Sequence, residues 1–358
     1  MTRRSPRILF IIKKSTNSYG CRSVYSYGQG PSGLLNSVKF VVEMLNDSGV
    51  EAKCVQVTDN NDIDREVSRY KPTQVMIEAL WVVPEKFIIL RRLHPHVKWV
   101  VRTHSEIPFL AQEGSSIGWI LKYVRLDNVF VAANSERAFK DVQTIVRSAN
   151  PFWTDRQVDE KVLYLPNFYP TRFRGSDLKS QTSCLQVGCF GAIRPLKNQL
   201  IQAVAAIEYA DITGQKMCFH VNASRLEAGG DGALKNLRAL FAGSPRHELI
   251  EHKWMSHDHF LFMLSQMDLS LCVSFSESFC IVAADSIVAG VPLVGSSEIA
   301  FLDKASQAEA TSTNDIVRKI STALDWKLQP FLKIINRSRL RRFSYRSRNI
   351  WLEFSHHN

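Results

Sequence analysis

Residues 269–296 read LSLCVSFSESFCIVAADSIVAGVPLVGS. The run LSLCVSF (269–275) has the composition of a buried strand and gives way to a turn holding Glu277. FCIVAADSIVA (279–289) has the length and pattern of a helix. Gly290 and Pro292 supply its stop, and PLVGS (292–296) resumes as a strand. Strand, turn, helix and strand is the repeating unit of a parallel sheet, whose neighbours need a crossover connection. A helix that starts near Phe279 leaves the N–H groups of Cys280, Ile281 and Val282 without partners inside the helix. Such an end attracts anions, phosphates above all. The apolar segment also keeps two acids, Glu277 and Asp285, eight positions apart. Carboxylates there suit the hydroxyls of a polyhydroxyl ligand. The structural alternative is that Glu277 caps the helix and Asp285 forms a buried pair.

Outward from this segment the same alternation covers the chain. In the first half ILFII (8–12), AKCVQV (52–57), QVMIEAL (74–80), KWVVRTH (98–104), VFVAAN (129–134) and KVLYLPN (161–167) read as strands. Helical patterns lie between them at 34–49, 63–70, 84–94 and after Asn134. The pattern restarts with LQVGCFGAI (185–193), and a helical tail begins near Thr313. The expected fold is α/β: a Rossmann-like doubly wound domain over 1–170, a second over 171–330, and a basic C-terminal helix over 331–358 that crosses back to the first domain. Open parallel sheets bind ligands at the C-terminal ends of their strands, so two facing sheets predict a site in an interdomain cleft.

Composition narrows the class. The 358 residues are 45% hydrophobic and 22% charged, an ordinary globular balance. No apolar run reaches the roughly 18–20 residues of a membrane span, and the patch in MTRRSPRILFIIKK is too short for a signal peptide. Seven cysteines without a Cys-x-x-Cys pair predict reduced thiols and a cytoplasmic setting. The net charge is +11. From position 327 onward eight Lys and Arg residues (Lys327, Lys333, Arg337, Arg339, Arg341, Arg342, Arg346 and Arg348) face one acid, Glu353. Such a tail suits nucleic-acid phosphates, an anionic membrane face or a nucleotide, or is simply solvated.

The segment Ser274-Phe275-Ser276-Glu277-Ser278-Phe279-Cys280, then Asp285, then Ala289-Gly290-Val291-Pro292-Leu293-Val294 resembles the donor-site signature of the large family of retaining GT-B glycosyltransferases. The family pattern has Gly where Cys280 stands and Glu where Asp285 stands. The resemblance implies that Glu277 contacts the donor sugar and Asp285 the nucleotide ribose. VGCFGAIRPLKNQLIQAVAAIEYA (187–210) looks like the family's diphosphate clamp, with Gly191 in the turn and Lys197 at the family lysine. Ala192 replaces the family arginine, and Arg194 is placed to substitute for it. A diphosphate leaving group needs cations as its bond breaks. In RTHSEIP (102–108), His104 matches the family histidine near the reacting carbon, with Glu106 a weaker acceptor-side candidate. Trp254 and Met255 fall where the family often places the nucleotide base.

YGQGPSGLLNSV (27–38) satisfies Gly-x-Gly-x-x-Gly through Gly28, Gly30 and Gly33. It lies too far after its strand for a dinucleotide fingerprint. The resemblance puts Gly30, Ser32 and Gly33, with Lys14, on the acceptor side. Asp62-Ile63-Asp64 reads as the acidic start of a helix rather than a metal motif. His257-Asp258-His259 has no further ligand at supporting spacing. The expectation is a glycosyltransferase that moves a sugar from a nucleotide-diphosphate sugar to an acceptor hydroxyl with retention, without a metal or other cofactor. Its acceptor would be anionic: duplex DNA carrying a hydroxymethylated base, or a cell-envelope glycan or lipid met peripherally at the membrane surface. A nucleotide-sugar 2-epimerase and a catalytically silent nucleotide-binding protein are the alternatives.

Overall fold

The computed structural model of the chain describes residues 6–14, 33–172 and 183–356. Gly28, Gly30 and Ser32 lie outside the described residues. Two compact units result: of the described residues, 6–14, 34–169 and 344–356 form the first, and Gly33, 170–172 and 183–343 the second.

The first unit runs β1 (Arg7–Lys13), α1 (Gly33–Asp47), β2 (Glu51–Val57), α2 (Asp62–Tyr70), β3 (Gln74–Glu78), α3 (Pro84–Leu93), β4 (Lys98–Thr103), α4 (Ile107–Leu110), α5 (Ser116–Val124), β5 (Val129–Ala133), α6 (Glu136–Ala149), α7 (Asp155–Lys161) and β6 (Val162–Tyr164). Its strands pair in parallel in the order β2-β1-β3-β4-β5-β6. The continuous apolar run of β1 serves two cores at once. Leu9 and Ile11 pack with Val67, Phe87 and Trp99 on one face, and Ile8 and Phe10 with Val41, Leu45 and Trp351 on the other. A strand covered on both faces alternates sides but not polarity, which is why such strands read as uninterrupted hydrophobic stretches. The helices start where the sequence supplies caps: Ser135 accepts from the Ala138 N–H, and Thr154 and Gln157 form a capping box.

The second unit runs β7 (Leu185–Ile193), α8 (Gln199–Ile212), β8 (Met217–Leu226), α9 (Gly230–Ala242), β9 (Glu248–Glu251), α10 (His257–Ser265), β10 (Leu269–Cys272), α11 (Ile281–Ala289), β11 (Leu293–Ser296), β12 (Gln307–Ala308), α12 (Thr313–Leu324) and α13 (Gln329–His356). All strands are parallel, in the order β12-β11-β10-β7-β8-β9. Counted from β7 this is the 3-2-1-4-5-6 order of a Rossmann sheet, whose direction of winding reverses between β7 and β10. Gly290, at φ +74°, ends α11 in the left-handed conformation that glycine adopts without penalty. Helices α4, α5 and α7 carry no strong sequence signal and come from regions that read as connections.

Residues 329–343 of α13 belong to the second unit and 344–356 to the first. In the first unit Trp351 is fully buried. Its indole N–H donates to the Pro166 carbonyl at 2.8 Å, and its ring lies 5.6 Å from that of Phe10. Among the described residues no helix is long and apolar enough to cross a membrane.

Two outcomes follow from this packing. Trp351→Ala removes a core anchor and should destabilise the first unit by about 3–5 kcal/mol in denaturant unfolding; a loss under about 1 kcal/mol would contradict the packing. In the second unit His220 is hydrogen-bonded to His252 at 2.8 Å and to Gln186 at 2.7 Å. Burial, with His252 adding to it, pushes the His220 imidazole from 6.5 down to about 4. Between those values the unfolded chain binds a proton that the folded chain does not. Stability should therefore fall as pH drops through this window, by up to about 1.4 kcal/mol per pH unit. Urea unfolding at stepped pH should show that His220→Gln loses this part of the slope.

Candidate functional site

The C-terminal ends of β7 and β10, at the reversal point of the second sheet, carry the two segments singled out by sequence. Within the last residues of β7 the strand is bent at Gly191, whose φ of +111° suits glycine. Its N–H donates to Asn222 Oδ1 at 3.0 Å, and the β7–β8 register breaks there. A single 3-10 turn, Pro195–Lys197, follows and ends at Asn198 with φ 58°. Four hydrogen bonds then fasten this turn to the segment after β10. Asn198 Nδ2 donates to the Val273 carbonyl at 3.0 Å and Gln202 Nε2 to the Lys197 carbonyl at 2.8 Å. The Val273 N–H donates to Gln202 Oε1 at 2.7 Å and the Phe275 N–H to the Leu196 carbonyl at 2.9 Å. Asn198 and Gln202 were not identified from sequence, because nothing local distinguishes a stapling amide from a solvated one.

The result is contact between the two motifs. Lys197 Nζ lies 2.5 Å from Glu277 Oε1, and Ser274 Oγ donates to the same oxygen at 2.8 Å. The Glu277 carboxylate is 4% exposed and the Lys197 side chain 15%. Burial opposes the charge on Lys197, but the Glu277 carboxylate and Cys280 together hold the lysine above its ordinary pKa. Glu277 is thus an ion-pair partner of Lys197 rather than a helix cap.

Helix α11 begins at Ile281, two residues later than the sequence pattern predicts, with Cys280 at the N-cap. The amides of its first turn are therefore those of Ile281, Val282 and Ala283, and not that of Cys280. Cys280 is buried at 3% exposure and hydrogen-bonded to Cys272, whose thiol that bond and burial raise well above its ordinary pKa. The larger residue at the family's glycine position is accommodated inward. Its φ of −83° places no demand for glycine there.

Asp285, one turn into α11, is 2% exposed and lies 2.7 Å from Nε2 of His257, the first residue of α10. His257, at 19%, is the more exposed member, so the acid is a buried support and the imidazole stands over it. Arg194 engages Glu227 at 3.3 Å, which Arg225 also engages at 2.7 Å. Arg225 also lies over the Trp254 ring at 4.8 Å, and the Trp254 N–H donates to Ser224 Oγ at 2.7 Å. Met255 is half-buried beside it.

In the first unit His104 follows β4 and is hydrogen-bonded through Nε2 to Glu78 Oε2 at the end of β3. Arg102 reaches the same oxygen at 3.0 Å and also donates to Asn167 Oδ1 and, at 2.8 Å, to the Leu165 carbonyl. Glu78 and Arg102 are fully buried. Burial would raise the Glu78 carboxyl, but Arg102 and His104 hold it low. Burial and Arg102 depress His104 against the pull of Glu78. Glu78 was missed by sequence reasoning because a single acid ending a hydrophobic strand has no motif; the signal that could have found it is an acid and an arginine ending adjacent strands. Glu106, expected on the acceptor side, is instead buried at 2%, bonded by Ser135 and by Arg137 at 3.1 Å. Gly33 is the first residue of α1, and Lys14 donates its N–H to the Val57 carbonyl at 2.7 Å. Asp62 and Asp64 open α2: Asp62 accepts from the Thr58 N–H at 3.0 Å, and Asp64 pairs with His94 at 2.7 Å.

No protein-family model matches the chain, and comparison with curated protein sequences finds no relative. Solved structures do match, over nearly the whole chain. The N-terminal domain of Candida albicans trehalose-6-phosphate phosphatase superposes with a TM-score of 0.70 at 11% identity, covering 100% of this chain and 98% of that one. Sucrose-phosphate synthase from Thermosynechococcus elongatus gives 0.66 at 14%, with 97% of each chain covered. Anabaena Alr3699/HepE in complex with UDP gives 0.59 at 12%, covering 97% and 96%. The fold is therefore GT-B, with two Rossmann-like domains.

The buried Glu78–Arg102 pair yields a stability prediction. Glu78→Ala leaves Arg102 without its counter-charge and should cost about 3–5 kcal/mol in denaturant unfolding. Glu78→Ala combined with Arg102→Met should recover a large part of that loss; equal losses in the single and double variants would show that the pair is not coupled.

Proposed function

We propose that the chain is a glycosyltransferase that uses a nucleotide-diphosphate sugar as donor and transfers the sugar, with retention, to a hydroxyl of an anionic acceptor. The observation that carries this reading is the meeting of Lys197, Glu277 and the N-terminal turn of α11 at the reversal point of a 3-2-1-4-5-6 sheet, where such sheets bind nucleotides. Lys197 and the amides of Ile281, Val282 and Ala283 would receive the diphosphate. Glu277 would hold the sugar hydroxyls. His257, seated on Asp285, would meet the ribose in place of the longer family glutamate. Trp254 and Met255 would flank the base. As the bond between the anomeric carbon and the diphosphate breaks, its electron pair leaves on the phosphate oxygen. Positive charge and amide dipoles already in place stabilise that oxygen without reorganisation. The acceptor oxygen bonds to the same face of the carbon, and its proton passes to the departing diphosphate. The fold shared with a structure holding UDP and with a sucrose-phosphate synthase supports a nucleotide donor and a phosphorylated acceptor. The net charge of +11 supports an anionic one.

The deciding experiment is a donor screen for nucleotide release, run with and without sugar phosphates, anionic glycolipids and hydroxymethylated duplex DNA. Release that requires an acceptor, with the product's anomeric configuration matching the donor's by NMR, is the expected result. Glu277→Ala and Lys197→Ala should each lower kcat by on the order of a hundredfold or more, with unchanged far-UV circular dichroism. Turnover of donor without any acceptor would replace this reading with an epimerase, and undiminished activity in Glu277→Ala would remove that residue from the site.

A further inference from the structure

The start of α13 presents an exposed surface that the proposed reaction does not use. Trp326 is 78% exposed, Leu328 48%, Phe331 65%, Ile334 66% and Ile335 40%. Soluble proteins scatter exposed apolar side chains singly, and a contiguous group marks a contact surface. Phe331, Ile334 and Ile335 fall on one helix face by their three- and four-residue spacing, and Arg341 and Arg342 continue it as exposed residues. The opposite face carries buried Asn336 and Leu340. Asn336 fastens the helix to the second unit by donating to Ser306 Oγ at 2.9 Å and accepting from the Asp303 N–H at 2.9 Å. The exposed face is therefore set by tertiary packing and not by a helix free to turn.

The charge beside this face has one sign. Lys327 and Lys333 lie among the apolar residues and Arg337, Arg339, Arg341 and Arg342 follow them, while no acid occurs from Trp326 to Leu352. Arg339 has a counter-charge in Asp303 at 3.6 Å. An apolar stripe with basic residues on the same helix, and an aromatic residue at its head, matches an anionic lipid surface. The apolar side chains enter the acyl boundary, and the Lys and Arg heads stay at the phosphates. Nucleic acid would satisfy the arginines but would leave Phe331, Ile334 and Ile335 against phosphate and water. A second copy of the chain would cover the apolar residues but brings no carboxylate on this face to meet the basic ones.

We propose that the Trp326–Arg342 surface docks the protein on anionic membranes, with Phe331, Ile334 and Ile335 as the inserting residues and Arg341 and Arg342 as the headgroup contacts. This is independent of the chemistry assigned to the second sheet. The full chain should co-sediment with vesicles of phosphatidylcholine mixed with phosphatidylglycerol, and much less with phosphatidylcholine alone. Raising salt should weaken the association without abolishing it, since part of it is apolar. Phe331→Ser with Ile334→Ser, and separately Arg341→Glu with Arg342→Glu, should each weaken it by on the order of tenfold or more. These exposed substitutions should leave the unfolding midpoint in place. In the unsubstituted protein, lipids brominated on the acyl chain should quench a part of the fluorescence that Trp326→Phe removes. Absence of binding to the anionic vesicles, or binding indifferent to Phe331→Ser with Ile334→Ser, overturns the proposal. So does a concentration-dependent dimer abolished by those substitutions, or tighter binding to duplex DNA through Arg341 and Arg342 alone.

Discussion

A carboxylate taken out of water stays ionised only if a cation and hydrogen bonds replace the water it lost. That constraint governs both sheets of this chain. Glu277 is held by Lys197 and Ser274, and Glu78 by Arg102 and His104. Each acid lies at or just beyond the C-terminal end of a parallel strand, where chain polarity brings turns and helix N-termini together. The local arrangement can be costly to fold and still persist, because removing either partner leaves a buried charge. In the second sheet the Lys197–Glu277 pair also joins two segments that the sequence separates by eighty residues. The turn that carries Lys197 and the segment that carries Glu277 are thereby one structure.

The staples around that pair explain how a short 3-10 turn is held in one position. Asn198 and Gln202 use their amides to hold backbone groups on both sides of the turn. The strained φ at Asn198 and the left-handed Gly191 become permissible because these bonds over-determine the path. The departures from the resembling family settle into the same logic. Cys280 turns inward to Cys272, and the short Asp285 serves as the support of His257.

Helix α13 shows one segment answering two demands. Its last turns bury Trp351 in the first unit's core, and its first turns are pinned by Asn336 while presenting Phe331, Ile334 and Ile335 to solvent. Read as a linear pattern, those apolar residues belong to an ordinary amphipathic helix whose greasy side faces inward. Packing decides that the inward side is the other one, with Asn336, bonded to Ser306, and Leu340 making the close contact.

The strands and most long helices were legible in the sequence because hydrophobic period and length are local quantities. ILFII read as a strand, and the run 279–289 closed by Gly290 read as a helix, which the structure forms from Ile281 to Ala289. Lys197, Glu277 and Asp285 stood out in the sequence through their motif. Which partner each would meet was not. The Asp285–His257 and Glu78–His104 pairs and the diversion of Arg194 to Glu227 and of Glu106 to Arg137 all join residues distant in sequence, or on different elements. Local pattern determines which residues form an element and which of its ends can bind an anion. Only the order in which strands are laid side by side determines which of those ends, and which charges, come within 3 Å of one another, because that distance is set by long-range packing that no sequence window contains.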